Sequence, residues 1–281
     1  MDNRGKWEAL RELGRGGQGI TYLAVDSSAH NAEGYRNLVR TSITNLGQVH
    51  APAQNAMFVD NLVNALRALM LGPNEKHLGA LKILHEPAER SGLEKARSRM
   101  TAEASIYESI DHPNFLRVLD RGVENGWLVT EYQPGGTLND RPYLYKGNLL
   151  GALIAVRPVV DAVSEIHRRN AVHRDIKPAN IFVGGQRQLI LGDAGLVFFS
   201  DEQRSRLSDT LENVGSRDWM PAWAMGMRVD DIKPSFDVFS LGKLIWSMVS
   251  GRQILPLWYH HRPQFELEEM FPEDSSVRWA R

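Results

Sequence analysis

The chain has 281 residues, enough to bury a sizeable core in one bilobal domain or two small ones. Lysine and arginine total 33 against 34 acids, and a formal net charge of -1 gives no electrostatic ground for a nucleic acid or an anionic membrane as partner. The absence of Cys excludes a disulfide framework and a thiolate metal site, and residues 1–7 and all later windows fall short of a signal peptide or of the roughly 20 apolar residues that span a bilayer, so the expectation is a soluble, cytoplasmic protein.

Residues 7–25 read as two strands around a glycine turn, with Trp7, Leu10 and Leu13 before the glycines and Ile20, Tyr22, Leu23 and Val25 after them. Gly14, Gly16 and Gly19 satisfy G-x-G-x-x-G, but Thr21-Tyr22 argue against the helix that a dinucleotide fold would place there. Residues 27–76 form an insertion between the second and third strands, far longer than the usual connection of about 2 to 5 residues between neighbouring strands. Within it Met57, Phe58, Leu62, Val63, Leu66, Leu69 and Met70 recur at helical spacing before Gly72-Pro73, which predicts a helix over 54–71. Its apolar stripe has two uses, packing against the small lobe or contact with a partner or a second copy.

Residues 78–84 read as a strand carrying Lys82, and 94–110 as a helix carrying Glu103. Val118, Leu119 and 127–132 complete a sheet, and Pro134-Gly135-Gly136 breaks the chain. Residues 149–167 place Leu153, Val156, Val160, Val163 and Ile166 on one helical face, although Pro158 should kink or divide that helix. Residues 237–249 are apolar almost all round, as in a helix buried at a domain centre.

The run His173-Arg174-Asp175-Ile176-Lys177-Pro178-Ala179-Asn180 carries the chemistry. An Asp able to take a proton from a hydroxyl, a Lys near a moving phosphate and an Asn able to hold a metal together suit phosphoryl transfer from ATP. This run resembles the catalytic loop of the eukaryotic-type serine/threonine protein kinases, and the resemblance covers nearly the whole chain. It implies an α+β, bilobal fold: an antiparallel-sheet N-lobe over 1–133 and a mainly helical C-lobe over 134–281 that lacks the family's final helices. Asp175 is then the catalytic base and Lys177 steadies the transferring group; Asn180 and Asp193 bind magnesium. His173 supports the loop as an architectural residue. Gly14, Gly16, Gly17 and Gly19 bring backbone N–H groups to the phosphates, and Ala80, Lys82, Glu103, Glu131, Tyr132 and Phe182 complete the ATP-binding set. Glu103, nine residues before His112-Pro113-Asn114, is the partner of Lys82, while Glu94 and Glu108 belong to a solvated face.

The pattern is broken in two places. Asp193-Ala194-Gly195 resembles the family's D-F-G with Ala for Phe, which removes a large apolar plug that Phe198 or Phe199 would have to replace. Pro221-Ala222-Trp223 stands where A-P-E should follow the substrate-side segment 215–220, so the anchoring Glu is absent. Residues 196–219 correspond to the activation loop, where Ser208 or Thr210 is the candidate phosphosite and Arg174 the cation to order it. The resulting expectation is an ATP- and magnesium-dependent kinase acting on Ser or Thr of protein substrates, its own activation loop included; a nucleotide-binding pseudokinase scaffold and a small-molecule kinase are the alternatives.

Overall fold

The computed structural model describes residues 5–16, 18–28, 32–34, 36, 37, 41, 78–85, 90–184, 187–194, 198–199, 217–224, 233–255 and 262–273. The predicted helix 54–71, Gly17, Gly195, Ser208 and Thr210 lie outside them. The chain divides into two compact units, Met1–Glu108 with Arg117–Gly135, and Ser109–Leu116 with Gly136–Arg281.

In the first unit β1 (Trp7–Arg15), β2 (Gly19–Asp26), β3 (Leu78–Leu84), β4 (Val118–Gly122) and β5 (Trp127–Glu131) form an antiparallel sheet ordered β1-β2-β3-β5-β4. The β1–β2 hairpin runs from Trp7↔Asp26 to Arg15↔Ile20, and β2 continues against β3 in register Gly19↔Leu84 to Val25↔Leu78. Trp7, Ala24, Leu81, Trp127 and Val129 pack into one apolar cluster, and the indole N–H of Trp7 donates to Asp120 at 2.9 Å, so the amphipathic ring is satisfied at its polar edge. Arg36, just inside the 27–76 insertion, pairs with Glu8 of β1 at 2.7 Å and with Glu33 at 3.1 Å.

The helix expected over 94–110 is α1 (Arg90–Ser109), starting four residues earlier. Its buried stripe is Met100, Glu103, Ala104 and Tyr107, the i, i+3, i+4, i+7 pattern of one helical face, and one member of it is a carboxylate. The residues after α1 leave the first unit. Leu116 N–H donates to the Leu191 carbonyl, Leu191 N–H to the Asn114 carbonyl and the Asn114 amide to the Leu189 carbonyl, all at 2.8 Å, which ties residues 114–116 to the second unit.

That unit is built on α2 (Leu149–Arg168), which touches β6 (Ala171–Val172), β8 (Leu189–Leu191) and α3 (Ser235–Ser250). Hairpin β7 (Ile181–Val183) with β8, the pairing of β6 with β9 (Phe198–Phe199), and short α4 (Leu267–Met270) complete its regular elements among the described residues. Of the expected face of α2, Val156, Val163 and Ile166 are buried and Val160 is half-buried, but Leu153 is exposed; Leu149, Ala152, Val159 and Ala162 complete the buried side, and Leu150 and Ile154 are exposed. Small Ala152 and Ala162 occupy the close contact, a choice that a count of bulky residues misses. Pro158 does not divide α2. Its missing N–H would have bonded the carbonyl of Ile154, a residue on the exposed side where water can take that acceptor.

Candidate active site

Residues expected to handle phosphate lie in the first unit. Lys82 stands in mid-sheet, opposite Thr21 on β2 and Leu128 on β5. Its ammonium donates to Glu103 Oε2 at 2.7 Å. Burial of Glu103 on the apolar stripe of α1 is thus compensated by a charge-assisted bond, as a buried carboxylate requires. Glu94 and Glu108 are exposed, and Glu108 pairs with Arg121 at 2.8 Å. Ala80 precedes Lys82 by one strand repeat, half-buried and paired with Thr130, while Glu131 ends β5 opposite Gly79. The Tyr132 phenol, next in the chain, is pushed up by burial against the opposing pull of Arg11.

At the β1–β2 tip Gly16 N–H donates to the Gly19 carbonyl at 2.9 Å. The three described glycines there differ. A Cβ on Gly14 or Gly16 would meet nothing within 4 Å, whereas one on Gly19 would overlap the Ile83 carbonyl of the neighbouring strand.

The second unit assembles the catalytic-loop residues. Asp175 is 4% exposed, and its carboxylate accepts Lys177 Nζ on both oxygens, at 2.9 and 2.8 Å, and Asn180 Nδ2 at 2.8 Å. The same amide also donates to the Asp175 carbonyl at 2.8 Å. The loop itself is held from behind. Asp237 of α3, wholly buried, accepts the backbone N–H of His173 and of Arg174 at 2.8 Å each, and its Oδ2 lies 2.7 Å from His167 Nε2 at the end of α2. His173 is buried with Nε2 3.1 Å from the Gly192 carbonyl, a structural position. Arg174, at φ 68°, is also buried; desolvation pulls its guanidinium down to about 10, with Asp237 and Asp175 opposing. His167 had no motif to announce it beyond a titratable residue in the last turn of a helix leading into the loop.

Asn180 and Asp193 come together through a hairpin. β7 and β8 pair Ile181 with Leu191, so Asn180 and Gly192 face each other at its open end, where Gly192 N–H donates to the Asn180 carbonyl at 2.9 Å. Asp193 follows, at φ 52°. Phe182 on β7 covers Gly192 so closely that a Cβ there would stand 2.5 Å from its ring. The donors fit magnesium: with Nδ2 spent on Asp175, Asn180 retains Oδ1, and Asp193 adds a carboxylate. Among the described residues no three His, Asp or Glu form a closed metal cage, and magnesium is commonly held by one or two carboxylates with phosphate and water supplying the rest.

Both breaks in the pattern fall within the described residues, Gly195 excepted. Ala194 is completely buried, and Phe198 and Phe199 pair their backbones with Val172 and Ala171. Trp223, half-exposed, sets its ring edge-on to Phe236 at the start of α3, 6.3 Å between centroids, an apolar contact at the position of the missing Glu.

Comparison with known proteins places these features in one family. The family description "Protein kinase domain" matches residues 70–277. The chain is 27% identical over 205 residues to Aurora/IPL1-related protein kinase 2 of Caenorhabditis elegans, covering 72% of this chain and 61% of that protein. It is 31% identical over 134 residues to serine/threonine-protein kinase PknJ of Mycobacterium tuberculosis, covering 46% of this chain and 22% of that one, and 28% identical over 222 residues to serine/threonine-protein kinase pkn2 of Myxococcus xanthus, covering 71% and 26%. It therefore spans less than two thirds of the length of each of these relatives. With matched residues that include Lys82, Glu103, Asp175, Asn180 and Asp193, the chain belongs to the protein kinase domain family.

Proposed function

We propose that the chain is an ATP-dependent protein kinase that transfers the γ-phosphoryl group to Ser or Thr hydroxyls of protein substrates. The observation that carries this reading is Asp175: a buried carboxylate whose orientation is fixed by Lys177 on both oxygens and by the Asn180 amide. In the reaction the acceptor oxygen bonds to the γ-phosphorus as the bond from that phosphorus to the β–γ bridging oxygen breaks. ADP departs, and the hydroxyl proton passes to Asp175. Lys177 stands where it can follow the charge that leaves the carboxylate for the phosphoryl oxygens. Lys82, oriented by Glu103, binds the α and β phosphates. Magnesium held by Asn180 and Asp193 would supply charge neutralisation at the phosphates.

The test is transfer of radiolabelled γ-phosphate with magnesium, the intact chain against Asp175→Asn, with modified residues mapped by mass spectrometry. Label from the intact chain, reduced by at least about 10³-fold in the variant, is the expected result, since removal of a base with its preorganised surroundings costs on the order of 4 kcal/mol in the barrier. Label on Ser208 or Thr210 would extend the reading to self-modification. A second reading, a nucleotide-binding scaffold, is motivated by Ala194 and Trp223; equal silence from both proteins with ATP bound would replace the enzyme by it.

A further inference from the structure

Helix α3 is apolar almost throughout, yet it buries a lysine, Lys243, at 5% exposure. An ammonium taken out of water is costly unless its donors are used. Lys243 Nζ donates to the backbone carbonyl of Asp218, and it lies 5.6 Å from the ring centroid of Trp219 and 5.8 Å from that of Phe239. One turn earlier on the same helix, Ser240 Oγ is 3.2 Å from the Trp219 carbonyl and shares its proton with the Phe236 carbonyl, also at 3.2 Å. Two successive carbonyls of the 217–219 turn are thus received by two side chains of α3, and Trp219 and Met220 are buried, 7% and 4% exposed.

Asp237, Ser240 and Lys243 follow one another at intervals of three, the slanted row that side chains make on a helix surface. The first residue of the row holds the backbone of His173 and Arg174, beside Asp175. The next two hold residues 218 and 219. One helix therefore sets both the catalytic loop and the segment that resembles the substrate side of a kinase, in a chain whose usual carboxylate anchor for that segment is replaced by Trp223.

We propose that Lys243 is a positioning residue for phosphoryl transfer: through the Asp218 carbonyl and the Trp219 ring it fixes the acceptor-binding segment 217–220 in register with Asp175. The proposal rests on the kinase reading above. Its signature is an effect on the protein acceptor and none on ATP. It also predicts a pH dependence. Burial pulls the Lys243 ammonium down to about 8, and Asp218, the charged group facing it among the described residues, opposes that shift. Ser240 and Ser247, its neighbours one turn away on α3, are uncharged. As pH rises through about 8 the buried lysine sheds its proton before a solvated one would; the amine keeps a donor for the carbonyl and no longer carries the desolvation cost of the charge, so the hold tightens toward alkaline pH.

The experiment compares the native chain with Lys243→Met and Lys243→Arg. Phosphorylation of dephosphorylated casein is followed from pH 6.5 to 9.5, and amide hydrogen exchange is measured over residues 217–222 and 173–183. For Lys243→Met at pH 7 the expected result is a casein KM raised about tenfold, the scale of one charged hydrogen bond, an unchanged ATP KM, and a Tm unchanged or higher because a buried charge is gone. Exchange should quicken over 217–222 alone. The casein KM of the native chain should fall above pH 8; that of Lys243→Met should be flat, and Lys243→Arg should restore the native value at pH 7 without the alkaline fall. Unchanged exchange over 217–222 in Lys243→Met would overturn the proposal whether or not the chain is active. So would casein and ATP KM values that move together with a falling Tm, the mark of a merely structural lysine. A native chain no more active than Asp175→Asn would instead remove the kinase reading, and the exchange measurement would still decide whether Lys243 holds the segment.

Discussion

Glycines in one motif can be there for different physical reasons, and residues 14–19 separate them. Gly19 faces Leu84 where β2 and β3 run close, and any side chain would press on the Ile83 backbone, which belongs to a paired strand and cannot swing aside. Gly14 and Gly16 have open space, so for them the room is available to a ligand. Gly19→Ala should therefore cost about 1–3 kcal/mol of stability as an overpacked site, and Gly16→Ala about 0.5 kcal/mol or less. Gly16→Ala should weaken ATP binding nonetheless, because its methyl group enters the space that phosphate oxygens would approach. Urea unfolding beside nucleotide titration checks both halves; a Gly19→Ala chain as stable as the native one would mean that the strand spacing yields, and the steric account of that glycine would fail.

At the scale of elements, what the sequence makes legible is whatever is local. Asp175, Lys177 and Asn180 lie within six consecutive residues, so their mutual hydrogen bonds need only one turn of chain. Strand-turn-strand at the amino end was readable from Thr21 and Tyr22, and Glu103 from its place nine residues before His112-Pro113-Asn114 in a pattern that resembles the family's. Harder to read were contacts whose partners are far apart in the chain. His167 meets Asp237 seventy residues later, and Lys243 meets Asp218 twenty-five residues earlier, though a lone lysine in an otherwise apolar helix was a signal in plain view. Leu153 of α2 was misplaced because the first turns of that helix are apolar on nearly every side, and periodicity cannot choose among equals. Asp237 shows what such a long-range contact does: one buried carboxylate joins α3, the end of α2 and the catalytic loop. Asp237→Ala strands two buried backbone donors and should cost about 3–5 kcal/mol in urea unfolding. A loss below about 1 kcal/mol would show that water enters and takes over those donors, and that the loop is held by other contacts.

Over the whole molecule, Lys82 and Glu103 belong to one compact unit and Asp175, Asn180 and Asp193 to the other. Net charge is almost balanced, so a polyanionic ligand finds no general attraction and must be bound by specific groups. On the proposed reading a divalent cation carries much of the charge balance, because Lys177 is already paired with Asp175 and Lys82 alone leaves most phosphate charges uncompensated. A nucleotide that binds only the folded chain stabilises it by about 2.7 kcal/mol at 100 times its Kd, which for a chain of this size raises Tm on the order of 5 °C. ADP with magnesium should produce that rise in the native chain, and ADP with EDTA a much smaller one. In Asp193→Asn the difference between the two conditions should collapse, since an amide offers the cation a neutral oxygen in place of a charged one. Lys82→Met should lower both curves alike and keep the magnesium-dependent gap, because it removes a contact to phosphate and none to metal. Equal Tm shifts with and without magnesium in the native chain would exclude Asn180 and Asp193 as its ligands; a gap preserved in Asp193→Asn would place the ion on other oxygens.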